Sequence, residues 1–157
     1  MISIRNSFRF VFRRRTMRDP FSKLRVVLNK LKDEAHTFIR FWLPPIFWMG
    51  LIFYLSSIPD LKSGLPTTWD LILRKIAHMV EFGVLFLLFA RALTGRIRKV
   101  LFWAALFSII YAGLDEYHQT FVFGRQGCLR DVAFDTLGIL LAAVVFLKKV
   151  ERRMRVS

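Results

Sequence analysis

Apolar residues in this chain are concentrated in four long runs separated by shorter polar or charged connections. The runs cover residues 41–58, 71–90, 100–122 and 132–147. A helix needs about 20 apolar residues to cross a bilayer, with a range of about 17 to 25. The second and third runs are long enough, whereas the first and fourth are short and need help from flanking residues or a thinner bilayer. The pattern predicts an all-α fold, an integral membrane bundle of four transmembrane helices.

A helical pattern of another kind precedes the first run. Asp19 and Pro20 suit the start of a helix, with Asp as the N-cap and Pro at the first helical position. Apolar residues then recur at steps of three or four up to Phe38, with basic residues on the other faces. We expect an amphipathic helix at about 20–38 that lies on the membrane surface; a helix that docks onto a partner is the alternative. The prolines of the first span, Pro44 and Pro45, are expected in its opening turn, where proline is tolerated.

Three domain segments follow from these patterns. Residues 1–40 form a basic N-terminal tail that contains the surface helix, residues 41–147 form the membrane domain, and residues 148–157 form a basic tail. The basic segment 1–18, with its interleaved Phe and Arg residues, is expected to be attracted to anionic membrane lipids, because membrane spans follow it. No nucleic-acid partner is expected.

The basic residues indicate how the spans are oriented. The first 40 residues hold 11 Lys and Arg, the connection 91–99 holds 4, and the segment from Lys148 holds 5, which makes 20 of the 25. Connections rich in Lys and Arg stay in the cytoplasm. Both termini are therefore predicted inside, with the connections after the first and third spans outside. The expected location is the bacterial cytoplasmic (inner) membrane, as a multi-pass protein.

Composition agrees with this picture and excludes several alternatives. The 157 residues suffice for one domain, and 55% hydrophobic residues beside a net charge of +14 fit apolar spans with basic ends. The one cysteine, Cys128, cannot form a disulfide or a thiolate metal cluster within the chain. Because no base adjoins it in sequence, we expect Cys128 to be an incidental small residue.

With this orientation, polar and ionisable residues fall in the outer halves of three spans. Such residues are costly inside a bilayer and normally face a bundle interior or a functional site. Helical spacing allows each group to project together into that interior. The residues are Lys75, His78 and Glu81 in the second span, Asp115, Glu116, His118 and Gln119 in the third, and Asp131 and Asp135 in the fourth. Arg125 and Arg130 lie in or beside the connection between the third and fourth spans.

Three interpretations of this set are open. The charges could pair with one another in a structural network that only fixes helix packing. They could instead hold a divalent metal, for which the candidate ligands are His78, Glu81, Asp115, His118 and Asp131. An intramembrane metal-dependent hydrolase or transferase would then result. The spacing matches no specific metalloenzyme signature.

The third and favoured interpretation is an outward-facing polar pocket that binds or modifies an anionic amphiphile of the cell envelope. Basic side chains would hold a phosphate or carboxylate, and a histidine beside an acid is a suitable proton donor or acceptor. The candidate catalytic residues are His78, Glu81, Asp115 and Glu116. The candidate substrate-binding residues are Lys75, Gln119, Arg125, Arg130, Asp131 and Asp135. Whether the chain is an enzyme stays open, as do the substrate and the oligomeric state.

The same residues resemble a known family. Lys75-Ile-Ala-His78-Met-Val-Glu81-Phe82-Gly83, with Asp115-Glu116, Gln119, Phe121, Gly124-Arg125, Asp131 and Gly138, is similar to the VanZ-like family of bacterial membrane proteins. The resemblance covers about Trp48 to Leu147, with the basic N-terminal extension outside it. It implies a small integral membrane domain and a link with glycopeptide (teicoplanin) resistance, with membrane lipids or a lipid-linked envelope precursor as partners. The chain departs from the family at Asp135, where Asn is usual; the extra acid favours cation or metal binding.

Overall fold

The structure, a computed structural model, describes residues 21–59, 67–125 and 127–156. These residues form four α-helices and no strand, which confirms the all-α fold class for the described part of the chain. The helices are α1 (Ser22–Ser56), α2 (Thr67–Ala92), α3 (Ile97–Gln119) and α4 (Leu129–Val156). The predicted helix start at Asp19 and Pro20 lies outside the described residues.

The first helix covers both the predicted surface helix and the predicted first span. α1 is continuous over 35 residues, whereas the chain divides into two compact units between Ala35 and His36. Every described residue before that division is exposed. A location of residues 20–38 at the membrane surface remains a prediction.

The two prolines of α1 do not lie in its opening turn, so that prediction is wrong. α1 begins at Ser22, which places Pro44 and Pro45 well inside the helix. Proline has no backbone N–H, so each one removes a hydrogen bond from the helix interior. Pro45 is buried, and apolar packing therefore offsets part of this loss.

The third and fourth helices have different bounds from the predicted spans. α3 ends at Gln119, because the following residues form tight turns and Gly124 has a φ of 77°, a conformation that glycine adopts without strain. α4 continues to Val156, so most of the predicted basic tail is helical. α3 thus has the predicted length but begins and ends three residues earlier than the predicted run, whereas α4 is longer than predicted.

The closest helix pair in the core is α2 with α4, and glycine makes this approach feasible. A Cβ atom on Gly138 would lie 2.1 Å from the carbonyl oxygen of Met79, and one on Gly83 would lie 3.2 Å from the carbonyl oxygen of Gly138. Phe82, Phe86 and other large apolar residues are fully buried beside this contact. The backbones of α2 and α4 are therefore in contact within about one helical turn of His78 on α2 and of Asp135 on α4.

The second half of α1 is joined to the other helices by hydrogen bonds to backbone carbonyls. The indole Nε1 of Trp48 donates to the carbonyl oxygen of Glu81 at 2.9 Å. The hydroxyl of Tyr111 donates to the carbonyl oxygen of Met49 at 2.6 Å. Both bonds fix the position of α1 along its axis relative to α2 and α3.

The outward faces of the helices carry many large apolar side chains. Exposed examples are Phe47, Phe53, Phe102, Leu114, Leu140 and Val145. Two helices, α1 and α3, are long and apolar enough to cross a membrane by length and composition. α2 and α4 carry more charged residues than that criterion allows. Extensive exposed apolar surface marks contact with a membrane or a partner protein, and the two candidate spans favour a membrane.

The bundle has two chemically different ends. One end, which we call the basic end, contains the C-terminal halves of α2 and α4 and the start of α3. Its basic residues include Arg91, Arg96, Arg98, Lys99, Lys148 and Lys149. At this end the guanidinium groups of Arg40 and Arg91 lie 6.0 Å and 5.8 Å from the ring centre of Phe41. The other end, the cavity end, contains the last turns of α1 and α3 and the first turns of α2 and α4.

Candidate functional site

A cavity of about 800 Å³ opens at the cavity end of the bundle. The lining residues of the helices are Leu71, Arg74, Lys75 and His78 of α2, Glu116 and Gln119 of α3, and Arg130, Asp131, Phe134 and Asp135 of α4. Gly124, Arg125, Gly127 and Cys128 of the connection before α4 complete the described wall. A cavity of this size is within the range of small-molecule sites in proteins, about 300 to 1,000 Å³.

Three ionisable groups from three helices meet at the inner part of this cavity. One ligand atom each from His78, Glu116 and Asp135 lies within 4.8 Å of the others. Nδ1 of His78 and Oδ1 of Asp135 are 3.7 Å apart, which is too far for a hydrogen bond. Asp135 is 1% exposed and Glu116 is 5% exposed. We call these three residues the His–Glu–Asp cluster.

Polar atoms of the cluster lack partners within the described residues. Nδ1 of His78 and both carboxylate oxygens of Asp135 are buried and accept or donate no hydrogen bond there. Leaving a buried polar group unpaired costs about 1 to 3 kcal/mol, and more for a charged group. The cluster is therefore poorly satisfied by the chain itself.

Glu116 is held by the connection that follows α3. Its Oε2 accepts a hydrogen bond of 2.9 Å from the backbone N–H of Cys128. Gly127 makes this possible, because a Cβ atom there would lie 2.2 Å from the carbonyl oxygen of Glu116. The close approach of the connection to α3 thus orients one carboxylate oxygen of Glu116 and leaves the other without a hydrogen bond to the described residues.

Basic side chains surround the outer part of the cavity. Lys75 forms an ion pair with Asp131 across the gap between α2 and α4, and its ammonium nitrogen lies 4.3 Å from the ring centre of Phe134. Arg74 forms a salt bridge of 2.7 Å with Asp70 one turn earlier. Because Lys75 is 39% and Arg74 31% exposed in their side chains, the cations lie nearer to solvent than the buried acids of the cluster.

Arg125 and Arg130 have different environments. The Nε and Nη2 atoms of Arg125 donate to the carbonyl oxygens of Ile58 and Leu55 at 3.2 and 2.8 Å. These are carbonyls at the C-terminal end of α1, where an arginine satisfies groups that the helix leaves unpaired. Arg130 is exposed, and its hydrogen bond to the thiol of Cys128 lowers the pKa of that cysteine below its usual value.

Asp115 links α1 to α3 beside the cavity. Its Oδ2 accepts hydrogen bonds of 2.9 Å from the hydroxyl of Ser56 and from the amide nitrogen of Gln119. Its Oδ1 is buried without a hydrogen-bond partner among the described residues. Asp115 is thus half satisfied, and its main contacts are with the last turn of α1.

The structure brings most of the residues selected from the sequence to this cavity. The predicted site residues that line it are Lys75, His78, Glu116, Gln119, Arg125, Arg130, Asp131 and Asp135. Three others are placed elsewhere: Asp115 contacts Ser56, Glu81 is not among the lining residues, and His118 turns toward α1. The ring of His118 stacks on Phe53 at 4.2 Å and its Nε2 lies 3.0 Å from the hydroxyl of Ser57.

The position of Glu81 has a geometric cause. Each residue of an α-helix turns the side-chain direction by about 100°, so two steps of three residues separate Glu81 from Lys75 by about 120°. His78 lies between them in direction. Lys75 and His78 therefore line the cavity, whereas Glu81 is not among its lining residues.

Some lining residues were not selected from the sequence. Arg74, Cys128 and Phe134 line the cavity, and Ser56 supplies a hydrogen bond to Asp115. The i, i+4 spacing of Asp70 and Arg74 was a usable signal for a fixed arginine at this end of α2. The role of the Cys128 backbone depends on the path of the connection, for which the sequence carries no comparable signal.

A sequence model of the VanZ/LLP1 family matches residues 14–150 of this chain. The match begins well before Trp48, so the expectation that the basic N-terminal extension lies outside the family is wrong for residues 14–40, whereas residues 1–13 do lie outside the match. Neither the curated proteins nor the solved structures gave a match. The family model spans most of the chain and includes the whole cavity, and with the two candidate spanning helices it indicates a membrane protein. The chain belongs to the VanZ/LLP1 family.

Proposed function

We propose that this protein binds the anionic headgroup of an envelope amphiphile in the cavity. The observation that carries this proposal is the convergence of four basic side chains, Arg74, Lys75, Arg125 and Arg130, on one cavity. Guanidinium and ammonium groups are the side chains that bind phosphate and carboxylate. The site residues selected from the sequence are proposed to serve this binding.

The exposure of the side chains supports an anion at the outer level of the cavity. Arg130 is exposed, and Lys75 and Arg74 are partly exposed, whereas the acids Glu116 and Asp135 are buried. An anion that enters would therefore meet the cations first. Lys75 is already paired with Asp131, so a headgroup would compete with that carboxylate for the same ammonium group.

Apolar side chains at the same end support a ligand with a hydrocarbon part. Leu71 and Phe134 line the cavity, and Trp69, Phe121 and Phe123 are exposed nearby in the chain. Aromatic residues of this kind are enriched at the interface of a bilayer. A phospholipid or a lipid-linked precursor of the cell wall has the required chemistry, a phosphate next to long apolar chains.

The proposal includes a four-span arrangement in the bacterial cytoplasmic membrane, with both termini inside and the cavity facing outward. The segregation of basic residues at the opposite end of the bundle supports it, because basic connections remain in the cytoplasm. The link with glycopeptide resistance that the family resemblance implies belongs to the same proposal, since lipid-linked wall precursors are exposed on the outer face.

Reporter fusions test the orientation. Green fluorescent protein inserted at Gly95 should fluoresce, because this position lies at the basic end, which is predicted to be cytoplasmic. Alkaline phosphatase inserted at Gly127 should be active, because this position lies at the cavity end, which is predicted to be external. Alkaline phosphatase and green fluorescent protein fusions give opposite signals for the two compartments. The reverse pattern would contradict an outward-facing cavity.

Replacing Arg130 with alanine tests the headgroup site. The full chain in detergent is titrated with phosphatidylglycerol, phosphatidylcholine or inorganic phosphate while its melting temperature is followed. We expect stabilisation by phosphatidylglycerol, and an apparent affinity about two- to fivefold weaker in Arg130→Ala, because an exposed charge-assisted contact to the headgroup is lost. Mass spectrometry of the recovered lipid then separates binding from turnover.

The matched control is Arg98→Ala at the basic end, where Arg98 is exposed on α3. It should bind phosphatidylglycerol as the unchanged protein does. An equal loss in both variants would mean that the lipid binds by overall charge. Equal stabilisation by phosphatidylcholine would contradict an anionic ligand, and stabilisation by inorganic phosphate alone would assign the site to a free anion.

A further inference from the structure

The geometry points to a divalent metal site formed by His78, Glu116 and Asp135. Imidazole and carboxylate are ligands that Zn²⁺ and other first-row divalent ions accept. This set differs from the ligands expected from the sequence, because Glu81, Asp115, His118 and Asp131 are not part of the cluster. The site shares the cavity with the proposed lipid headgroup but does not depend on lipid binding.

Distances within the cluster suit an ion after a small adjustment. The three ligand atoms lie within 4.8 Å of one another. Two ligands of a tetrahedral zinc ion, at about 2.1 Å from the metal, are about 3.4 Å apart. The side chains therefore need to close by at most about 1.4 Å, and His78 and Asp135 are already at 3.7 Å.

The unpaired atoms of the cluster are those that a metal ion would use. Both carboxylate oxygens of Asp135 and Nδ1 of His78 are buried without a hydrogen-bond partner among the described residues, and Asp135 is 1% exposed. A purely structural ion pair would have closed the 3.7 Å gap between them to hydrogen-bond distance. The two residues instead both line the cavity, on the side where a cation would enter.

Charge balance leads to the same conclusion. Two buried carboxylates close to each other repel, and their burial is costly unless a cation or a proton compensates them. Lys75 is engaged with Asp131, and Arg125 donates to the carbonyls of Leu55 and Ile58. A divalent ion neutralises Glu116 and Asp135 together, and the neutral imidazole of His78 completes a three-ligand set.

The connection after α3 acts as the support of this set. The N–H of Cys128 fixes Oε2 of Glu116, so the carboxylate can present its other oxygen to the ion in one orientation. Hydrogen bonds of this kind orient metal ligands in proteins. Three protein ligands leave at least one coordination position open toward the cavity, which is the arrangement that lets a metal ion bind a water molecule or a phosphate oxygen.

Metal analysis of the full chain tests the inference. The protein is purified in detergent with a tag that contains no histidine, stripped with EDTA, loaded with Zn²⁺ and desalted. We expect about one zinc ion per chain by mass spectrometry. Co²⁺ in place of Zn²⁺ should give the visible absorption of a site with a nitrogen ligand. His78→Ala and Asp135→Asn should each weaken binding by at least about 100-fold, since changes to supporting groups alone cost about 10- to 100-fold.

Two histidine variants serve as controls. His118→Ala should keep the metal, because His118 stacks on Phe53 outside the cluster, and His36→Ala should keep it because His36 is exposed on α1. The inference is overturned if the unchanged protein retains far less than one ion, or if Asp135→Asn binds as tightly as the unchanged protein. Asp135→Asn keeps the size of the side chain, so the test does not depend on folding of the alanine variant.

These outcomes are separate from those of the lipid test. Zinc binding is measured without added lipid, and lipid binding is measured in EDTA. Loss of zinc in Asp135→Asn with phosphatidylglycerol binding retained supports the metal site independently of the headgroup site. If the protein binds phosphatidylglycerol in EDTA but takes up no zinc in the separate loading experiment, the metal site is overturned and the proposed function stands.

Discussion

Replacing Gly138 with alanine is expected to prevent the chain from accumulating as folded protein. The added Cβ atom would lie 2.1 Å from the carbonyl oxygen of Met79, and the carbon of that carbonyl would be at 2.7 Å. Both atoms belong to the backbone of α2, which cannot turn aside as a flexible side chain can. α2 and α4 must therefore separate, at an expected cost of about 3 kcal/mol or more in the free energy of unfolding.

The same substitution at Gly113 is the control for this prediction. No atom lies within 4 Å of a Cβ built on Gly113, and alanine is the better helix former by about 1 kcal/mol. Gly113→Ala should therefore be as stable as the unchanged protein or more so. Melting temperature and the yield of monodisperse protein measure both variants. Equal behaviour of the two would show that the approach of α2 to α4 is not a constraint.

Asp135→Asn is expected to raise the melting temperature of the protein when metal is absent and to lower it, relative to the unchanged protein, when metal is supplied. In EDTA the variant should melt at a higher temperature than the unchanged protein, by about 3 °C, because it removes a buried charge that lacks hydrogen-bond partners. With Zn²⁺ at about 100 times its dissociation constant, the unchanged protein gains about 2.7 kcal/mol. The unchanged protein should then melt higher.

A purely structural network of charges predicts the opposite in EDTA. If Asp135 served only to pair with His78, its replacement would destabilise the protein under both conditions, because His78 would lose the carboxylate that compensates its positive charge. Thermal melts of both proteins in EDTA and in Zn²⁺ distinguish these interpretations. Thr136→Ala is a suitable control, since among the described residues its hydroxyl donates to the carbonyl of Val132 within α4 and to no other group.

The amino-acid sequence contained enough information to predict the helices and the end of the bundle where polar groups meet. Apolar runs of sufficient length can only be buried or lipid-facing helices, and the spacing of Lys75 and His78, or of Asp131 and Asp135, defines a shared direction. Residues on one helix face could therefore be assigned to a common interior. The helix bounds agreed to within a few residues in α2, and less well where turns or prolines intervene.

Rotations of the helices and the paths of the connections could not be predicted in this way. Periodicity gives the relative directions of residues on one helix, but not the neighbour that each direction meets. His118 was a metal candidate by type and position, yet its ring lies against Phe53 on α1. Arg125 was expected to bind the substrate, and it does line the cavity, but its N–H groups also donate to the carbonyls of α1. Such partners are backbone atoms distant in sequence, and residue types do not encode them.

The attachment of α1 has a consequence for the order in which the protein assembles. The closest helix pairs are α2 with α4, α3 with α4 and α2 with α3, whereas the end of α1 is tied by the hydrogen bonds of Ser56 to Asp115 and of Arg125 to Leu55. α1 leaves the ribosome before the other three helices, but these bonds need residues that are synthesised roughly sixty or more positions later. The end of α1 is thus secured only after the connection before α4 has been made, and the cavity is complete only after the first two turns of α4, up to Asp135, have followed.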